Sequence, residues 1–311
     1  MTILKTLGAG VISLAAGVIA AQGQVAAAET GVTGSVTHPF ICTDNGKGKV
    51  FVVAKDGKIE KEFAAPGCQD CWRLANGNFL FTHVRGATEV TPDNKTVWSY
   101  KSPDNTEVHN CQPLPDGAVM ICECGTKRII EIGRDGKIRK EIPVETGVVK
   151  PHGQFRGARK LANGNYLIAC VGEQYVREID PAGKVVRSIK VPGNPFIAIR
   201  LPNGNTLVGC GDAHKVLEID PSDKVVWEVK ENDIPNNPLR FVAGLQRLPN
   251  GNTVICNWGG HGCVGKQPQL VEISHEKKIV WQVFDNTQLK TVSNIQLLDI
   301  VGDASKNEIL R

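Results

Sequence analysis

The sequence lacks several features that would point directly to a function. Its formal net charge is only +4 at pH 7, and it has no basic stripe interleaved with aromatic residues, so nucleic acid is not an expected partner. After residue 28, no apolar run is long enough to cross a membrane. The ten cysteines include no adjacent pair and no second Cys-x-x-Cys, so a standard zinc site is not indicated. No linker or low-complexity stretch divides the 311 residues.

Residues 1–28 differ from the rest of the chain. Lys5 is their only charged residue, residues 7–21 are apolar, and three alanines precede Glu29. This pattern predicts a cleaved secretory signal peptide at 1–28 and a single domain at 29–311. The mature protein is therefore expected to be secreted or periplasmic, with no stable membrane insertion. An uncleaved membrane anchor is the alternative, although the apolar stretch is short for a span.

A short phrase recurs five times along the chain. Its leucines are separated by 40, 47, 40 and 47 residues. Self-similarity at this period indicates a repeat architecture with one supersecondary unit per copy. The copies are Leu74-Ala75-Asn76-Gly77-Asn78, Leu114-Pro115-Asp116-Gly117-Ala118, Leu161-Ala162-Asn163-Gly164-Asn165, Leu201-Pro202-Asn203-Gly204-Asn205 and Leu248-Pro249-Asn250-Gly251-Asn252.

Each repeat reads as two β-hairpins. Asn-Gly or Asp-Gly between apolar runs predicts a tight hairpin turn, expected here to be of type I′. A second turn follows in every repeat, as at Asp56-Gly57-Lys58, and the flanking runs are rich in β-branched residues. Four antiparallel strands in 40–47 residues are typical of a propeller blade. The fold class predicted is all-β, a six-bladed β-propeller of four-stranded blades.

The number of hairpins predicts how the ring closes. Six second hairpins are present but only five complete first hairpins, so blade 1 lacks its innermost strand. Residues 294–298 resemble residues 244–248, which begin the last full repeat. We expect this C-terminal strand to complete blade 1 and remove the exposed sheet edges. An open β-solenoid is the alternative.

Candidate functional residues are expected on one face of the ring. All hairpin turns within the repeats lie on one face, and the variable loops lie on the other, where function usually resides. The loop residues expected there are His83, Arg85, His109, His152, Gln154, Arg156, Asp212, His214, Arg240, Trp258 and His261. The inner strands are expected to direct Gln112, Arg159 and Gln246 into the channel. A water-filled channel with satisfied polar walls remains an alternative to a ligand site.

The longest insertion, residues 256–266, carries the clearest binding signal. Trp258 beside a Gly-rich segment could stack on a sugar or aryl ring. His261 could act as an acid or base near neutral pH. The alternative is a loop closed by a Cys256–Cys263 disulfide.

The cysteines leave three interpretations open. An exported chain with ten cysteines favours disulfides, with Cys68–Cys71 and Cys256–Cys263 as local candidates. Thiolates with His109 or His261 would instead suit copper or zinc. Buried free thiols are the third interpretation. No metal ligands are assigned.

The repeat text resembles the bacterial exported propellers of the PQQ-like and arylsulfotransferase-like groups. The phrases that carry the resemblance are residues 201–208, 216–221 and 224–227. Arylsulfotransferases of this kind are six-bladed and use a channel histidine as nucleophile, and residues 109–115 resemble their pattern, which implies that role for His109. Quinoprotein dehydrogenases hold their quinone in eight blades with vicinal cysteines. Six blades and no Cys-Cys pair leave the cofactor unknown.

We therefore expect a monomeric propeller with a polar ligand site at the channel mouth. Carbohydrate-related binding or processing is the leading hypothesis, with a small molecule or glycan as ligand. His109 and His261 are the catalytic candidates. The ligand-binding candidates are His83, Arg85, Gln112, Arg159, Gln246 and Trp258. The alternatives are a scaffold that binds a protein partner, an arylsulfotransferase-like enzyme and a thiolate or histidine metal site.

Overall fold

The computed structural model of the chain describes residues 31–311, and the signal peptide expected at 1–28 lies outside this range. These residues form six antiparallel sheets, which are the blades of a propeller. The edge strand β1 is Gly31–Gly34 and pairs with the last blade. Blade 1 contains β2 (Phe40–Asp44), β3 (Lys49–Val53) and β4 (Ile59–Ala64). Blade 2 contains β5 (Cys71–Arg73), β6 (Phe79–His83), β7 (Gly86–Val90) and β8 (Thr96–Lys101).

The remaining strands continue in the same order. Blade 3 contains β9 (Glu107–Pro113), β10 (Val119–Cys124), β11 (Arg128–Ile132) and β12 (Ile138–Pro143). Blade 4 contains β13 (Phe155–Lys160), β14 (Tyr166–Cys170), β15 (Tyr175–Ile179) and β16 (Val185–Lys190). Blade 5 contains β17 (Ile197–Arg200), β18 (Thr206–Gly209), β19 (Val216–Ile219) and β20 (Val225–Val229). Blade 6 contains β21 (Val242–Arg247), β22 (Thr253–Asn257), β23 (Leu270–Ile273) and β24 (Ile279–Phe284), and β25 (Val292–Leu297) follows it. Two 3-10 turns lie at Pro151–Gly153 and Ala304–Lys306.

The ring closes as the sequence predicts. Strand β25 pairs with β2, with Ile295 opposite Cys42, and supplies the missing inner strand of blade 1. Strand β1 adds a feature that the sequence did not predict, because it precedes the first repeat. It pairs with β24 and makes blade 6 five-stranded. Chain segments from both ends of the described range therefore complete sheets formed by distant residues.

The repeated phrase forms a different turn from the one expected. In the first copy, the amide of Gly77 donates to the carbonyl of Leu74, and the amide of Leu74 donates to the carbonyl of Asn78. Gly77 has φ +88°, whereas Asn76 is not in the left-handed region. This is a three-residue loop, a type I turn followed by a left-handed glycine, and the type I′ prediction was wrong.

The last asparagine of the phrase is explained by a contact across the blade. Asn165 Nδ2 donates to Glu178 Oε1 on the third strand at 2.7 Å. Arg200 of the next blade then pairs with Glu178 at 2.9 Å. The same asparagine–glutamate contact recurs at Asn78–Glu89, Asn205–Glu218 and Asn252–Glu272. On the face of the ring that carries the repeated turns, these side chains therefore connect neighbouring blades, and we call this set of contacts the clamp.

Glutamines of the inner strands connect the blades at the centre. The Gln112 side-chain oxygen accepts the backbone amide of Lys160 at 2.8 Å, and that of Gln246 accepts the amide of Leu297 at 2.9 Å. Gln296 does the same for the amide of Arg73. Each bond satisfies a buried amide and stabilises the ring by about 1 kcal/mol. Within residues 31–311, no helix has the length and apolarity needed to span a membrane.

Candidate functional site

A cavity of about 540 Å³ opens on the face with the variable loops. Its walls come from loops that lead into the blades and from loops that join their second and third strands. The lining includes Asn45, Gln69, His152, Arg156, Asn194, Phe196, Asp212, Phe241, Trp258 and His261. Five of the loop residues expected on this face therefore line one cavity.

A larger and more open groove of about 780 Å³ lies beside the outer strands of blades 3 and 4. Its arginine, Arg177, is paired with Glu173 at 2.9 Å. None of the described residues that line this groove is aromatic. The 540 Å³ cavity is the better candidate because it combines aromatic walls with ionisable groups.

One wall of the cavity is aromatic. The Phe241 ring meets Phe196 and Trp258 edge to face, with centroids 5.8 and 5.1 Å apart. His261 stands perpendicular to Trp258 at 5.2 Å. Gly260 lies directly against the Trp258 ring, where any added Cβ would overlap the indole. These contacts hold the wall in place, and the backbone of Gly260 already occupies part of the indole surface.

An acid–base pair stands beside this wall. His261 Nδ1 lies 3.0 Å from Asp212 Oδ1, and Asn194 Nδ2 donates to Asp212 Oδ2 at 2.7 Å. The carboxylate orients the imidazole and fixes a proton on Nδ1, which leaves Nε2 free to accept one. His261 is exposed, so this nitrogen is open to a ligand. The geometry is that of an oriented general base.

Arg156 contributes a cation without an acidic partner. Its guanidinium donates to the carbonyl of His152 at 2.6 Å and to the carbonyl of Phe155 at 3.0 Å. No carboxylate of residues 31–311 forms an ion pair with it. Burial lowers its pKa, but arginine stays charged at neutral pH. A charged guanidinium in a cavity wall favours an anionic group in the ligand.

His109 lies behind this wall rather than in it. It is only 6% exposed, and burial lowers its pKa to about 4, so it is neutral at pH 7. Its Nε2 lies 2.9 Å from Glu107 Oε2, which also contacts His152 Nδ1 at 2.9 Å. The pKa of Glu107 falls to about 2, chiefly because His109 is beside it.

Comparisons with known proteins place the chain in a family. The model of the Mal s 1 allergenic protein-like family matches residues 51–278. A crystal structure of a protein of unknown function from Bacteroides caccae is 36% identical, with a TM-score of 0.78, and the match covers 83% of this chain and 98% of that one. This protein belongs to the Mal s 1 allergenic protein-like family. The comparisons do not confirm the PQQ-like or arylsulfotransferase-like groups, and no curated protein matches.

More distant solved structures share only the fold. A streptogramin B lyase is 14% identical, with a TM-score of 0.57, and the match covers 82% of this Mal s 1-like chain and 85% of that one. A catalytically inactive virginiamycin B lyase from Staphylococcus aureus with quinupristin is 18% identical, with a TM-score of 0.55 and coverage of 83% and 88%. At these identities, the likeness establishes the propeller and no activity.

In the Mal s 1-like protein, the residues expected to form one site are divided. Trp258 and His261 line the cavity together. His83 and Arg85 lie on blade 2, outside the cavity lining, and Arg85 is paired with Asp104 at 2.7 Å. Burial lowers the pKa of His83. Of the residues proposed from the sequence as catalytic or ligand-binding, the structure therefore brings only Trp258 and His261 together in the cavity.

The inner-strand candidates have structural partners. Gln112 and Gln246 accept backbone amides of neighbouring blades, as described above. Arg159 is buried and pairs with Asp70 at 3.0 Å. The charge of Arg159 is therefore already balanced by Asp70, and a role for Arg159 in ligand binding stays a prediction. Arg156, three residues earlier, is the free cation of the cavity.

All ten cysteines of the Mal s 1-like protein are free thiols, and nine are buried. The expected disulfides Cys68–Cys71 and Cys256–Cys263 do not form in this structure. Burial raises the pKa of the nine buried thiols, to about 12 for Cys68 and Cys210, so these nine are uncharged at neutral pH. In the described part of the chain, no thiol joins a group of three possible metal ligands. The thiolate site is therefore not supported, and the thiols pack as small apolar groups.

Proposed function

We propose that the cavity binds a small organic acid with a flat ring and that His261 exchanges a proton with it. The observation that carries this proposal is Arg156, a guanidinium in the cavity wall that has no carboxylate partner among residues 31–311. A ligand carboxylate, sulfate or phosphate would supply that partner. Arginine binds such groups through parallel N–H donors, and a charge-assisted bond contributes about 1.5–3 kcal/mol.

The ring of the ligand is argued from the opposite wall. Phe196, Phe241 and Trp258 offer a continuous aromatic surface, held rigid by edge-to-face contacts. Flat apolar rings pack well on such a surface, and their polar edges remain free for hydrogen bonds. A volume of about 540 Å³ suits one ring system with its substituents.

The acid–base role rests on the Asp212–His261 pair. The 3.0 Å contact fixes the imidazole tautomer, and the exposed Nε2 can take a proton from a bound ligand. An oriented base of this kind accelerates a reaction by about 10²–10⁴-fold. Some proteins that share the fold are lyases, a class that includes proton-abstracting reactions, but their identity of 14–18% establishes only the fold.

The narrower predictions from the sequence can be ranked against this cavity. A sugar acid would satisfy both the aromatic wall and Arg156, so carbohydrate binding remains a special case of the proposal. The sulfotransferase alternative requires an accessible His109, and its 6% exposure does not favour that role. The protein-binding scaffold predicts that partner binding survives changes inside the cavity. Secretion, a periplasmic location and the monomeric state remain predictions.

Calorimetric titration with paired probes tests the proposal. Benzoate and glucuronate are compared with benzamide and glucose, which have similar rings without the charge. We expect the acids to bind and Arg156→Met to weaken them by about 10- to 100-fold, the loss of one charge-assisted bond. Trp258→Ala should weaken both ring types. Arg85→Met, on the same face outside the cavity, is the matched control. The proposal fails if no acid binds or if Arg156→Met binds the acids as wild type does.

A further inference from the structure

We infer that Glu107, His109 and His152 form a binding site for a divalent transition metal such as zinc, at the edge of the cavity. Two imidazoles and one carboxylate are a ligand set that zinc and other divalent first-row metals accept. His152 also lines the cavity, so a metal bound there would lie in its wall. The inference does not depend on the proposed function.

The geometry brings one ligand atom of each residue together. Glu107 Oε2 lies 2.9 Å from both His109 Nε2 and His152 Nδ1, and the ligand atoms of all three lie within 4.8 Å of one another. The imidazole rings stand at 80° with centroids 5.6 Å apart. Zinc bonds of about 2.0–2.1 Å in a tetrahedron would separate neighbouring ligand atoms by about 3.3 Å. Small side-chain shifts would therefore admit the ion.

The second observation is a buried imidazole without a hydrogen-bonding partner. His109 is 6% exposed, and within residues 31–311 neither of its ring nitrogens makes an aligned hydrogen bond, although Nε2 faces Glu107. Leaving such a polar group unsatisfied disfavours the metal-free state. A metal bond would satisfy Nε2.

Arg156 contacts one of the proposed metal ligands, and we expect it to oppose metal binding. Its Nη2 lies 2.9 Å from His152 Nε2. Because arginine can only donate, His152 Nε2 accepts here and its proton lies on Nδ1, facing Glu107. A metal on Nδ1 moves that proton to Nε2, where it would face the guanidinium. Metal binding therefore displaces Arg156 from His152, and removing the guanidinium should tighten the metal.

Zinc alone is the probe. The full chain is stripped with a chelator and titrated with Zn²⁺ against a chromophoric competitor, and thermal unfolding of each variant checks that it is folded. We expect one Zn²⁺ per wild-type chain. His152→Asn, at an exposed position, and Glu107→Gln should weaken binding at least tenfold, whereas Arg156→Met should strengthen it. His275→Asn, on the turn face, is the matched control and should bind as wild type does.

Three results would overturn the inference. They are the absence of stoichiometric zinc in the wild type, equal affinity in Glu107→Gln, and equal affinity in His152→Asn. If Arg156→Met binds zinc more tightly and organic acids more weakly than wild type does, both proposals are supported separately. The reason is that one substitution must then change the two affinities in opposite directions. If Arg156→Met loses acid binding but binds zinc as wild type does, the proposed function stands and the predicted opposition between Arg156 and the metal is contradicted.

Discussion

Asp70 is the carboxylate on which the centre of the ring depends, and replacing it with asparagine gives the most informative stability test. It is 1% exposed. Arg159 Nη1 donates to it at 3.0 Å and Arg311 Nη2 at 2.8 Å. Both guanidinium groups also lie over the Trp72 ring, at 5.0 and 4.1 Å from its centroid. Asp70→Asn keeps the shape but removes the one side-chain carboxylate of residues 31–311 that pairs with these two buried cations.

The magnitude follows from these contacts. Breaking a buried ion pair by removing one partner costs about 3–5 kcal/mol, because the other charge stays buried without compensation. Asp70 also accepts amide hydrogens from Asn110 at 2.7 Å and Asn294 at 3.0 Å, which draws blades 1, 2 and 3 together. An asparagine retains one acceptor oxygen, so some of these bonds survive. We expect a loss of about 3–5 kcal/mol in the free energy of unfolding.

Urea unfolding followed by tryptophan fluorescence and circular dichroism measures this loss. Asp116→Asn is the matched control, because its carboxylate pairs with Arg139 on the exposed turn face and should matter by less than about 0.5 kcal/mol. The double variant Asp70→Asn/Arg159→Met should recover part of the loss by removing one uncompensated cation. A loss below about 1 kcal/mol in Asp70→Asn would refute the reasoning.

Three further predictions concern other parts of the ring. Glu272 and Asp299 raise the pKa of His38, so the protonated form stabilises the fold; this contribution is complete below pH 6.5 and is lost as the pH rises through the raised pKa. Wild type should therefore lose stability relative to His38→Asn between neutral and alkaline pH in thermal unfolding, and parallel curves would contradict this. Asn165→Ala should cost about 1.5 kcal/mol in urea unfolding through its lost bond to Glu178, and no change would show that the clamp is unimportant. Gly260→Ala should disturb the neighbouring indole, visible as a shifted tryptophan emission, and an unchanged spectrum would argue against the contact.

Much of the fold could be predicted because each repeat contains the residues that form its own hairpin turn. The period and the glycine positions led to six blades, and the likeness of residues 294–298 to 244–248 led to the closing strand. The turn type was wrong because Asn-Gly suits two hairpin geometries, and the choice depends on strand register. Strand β1 was missed because an added edge strand needs no repeat.

The site was less predictable, because a propeller assembles it from distant loops. Trp258 and His261 were found together since they share one insertion. From the sequence, Arg159 and not Arg156 was proposed as a ligand-binding residue. The sequence does not show that Asp70 neutralises Arg159, from which it is separated by 89 residues, and leaves Arg156 unpaired. Phe196 and Phe241 carried no motif at all. Glu107 was overlooked, although its position two residues before His109 places a carboxylate beside a histidine.

The central claim is that Arg156 and the aromatic wall together bind an organic acid that contains a flat ring. A crystal structure of the full chain grown with benzoate tests it most directly. The account predicts the carboxylate on the guanidinium of Arg156 and the ring against Phe241 and Trp258, within reach of His261 Nε2. Benzoate bound elsewhere, or a cavity in which Arg156 has found an acidic partner from the protein itself, would contradict it.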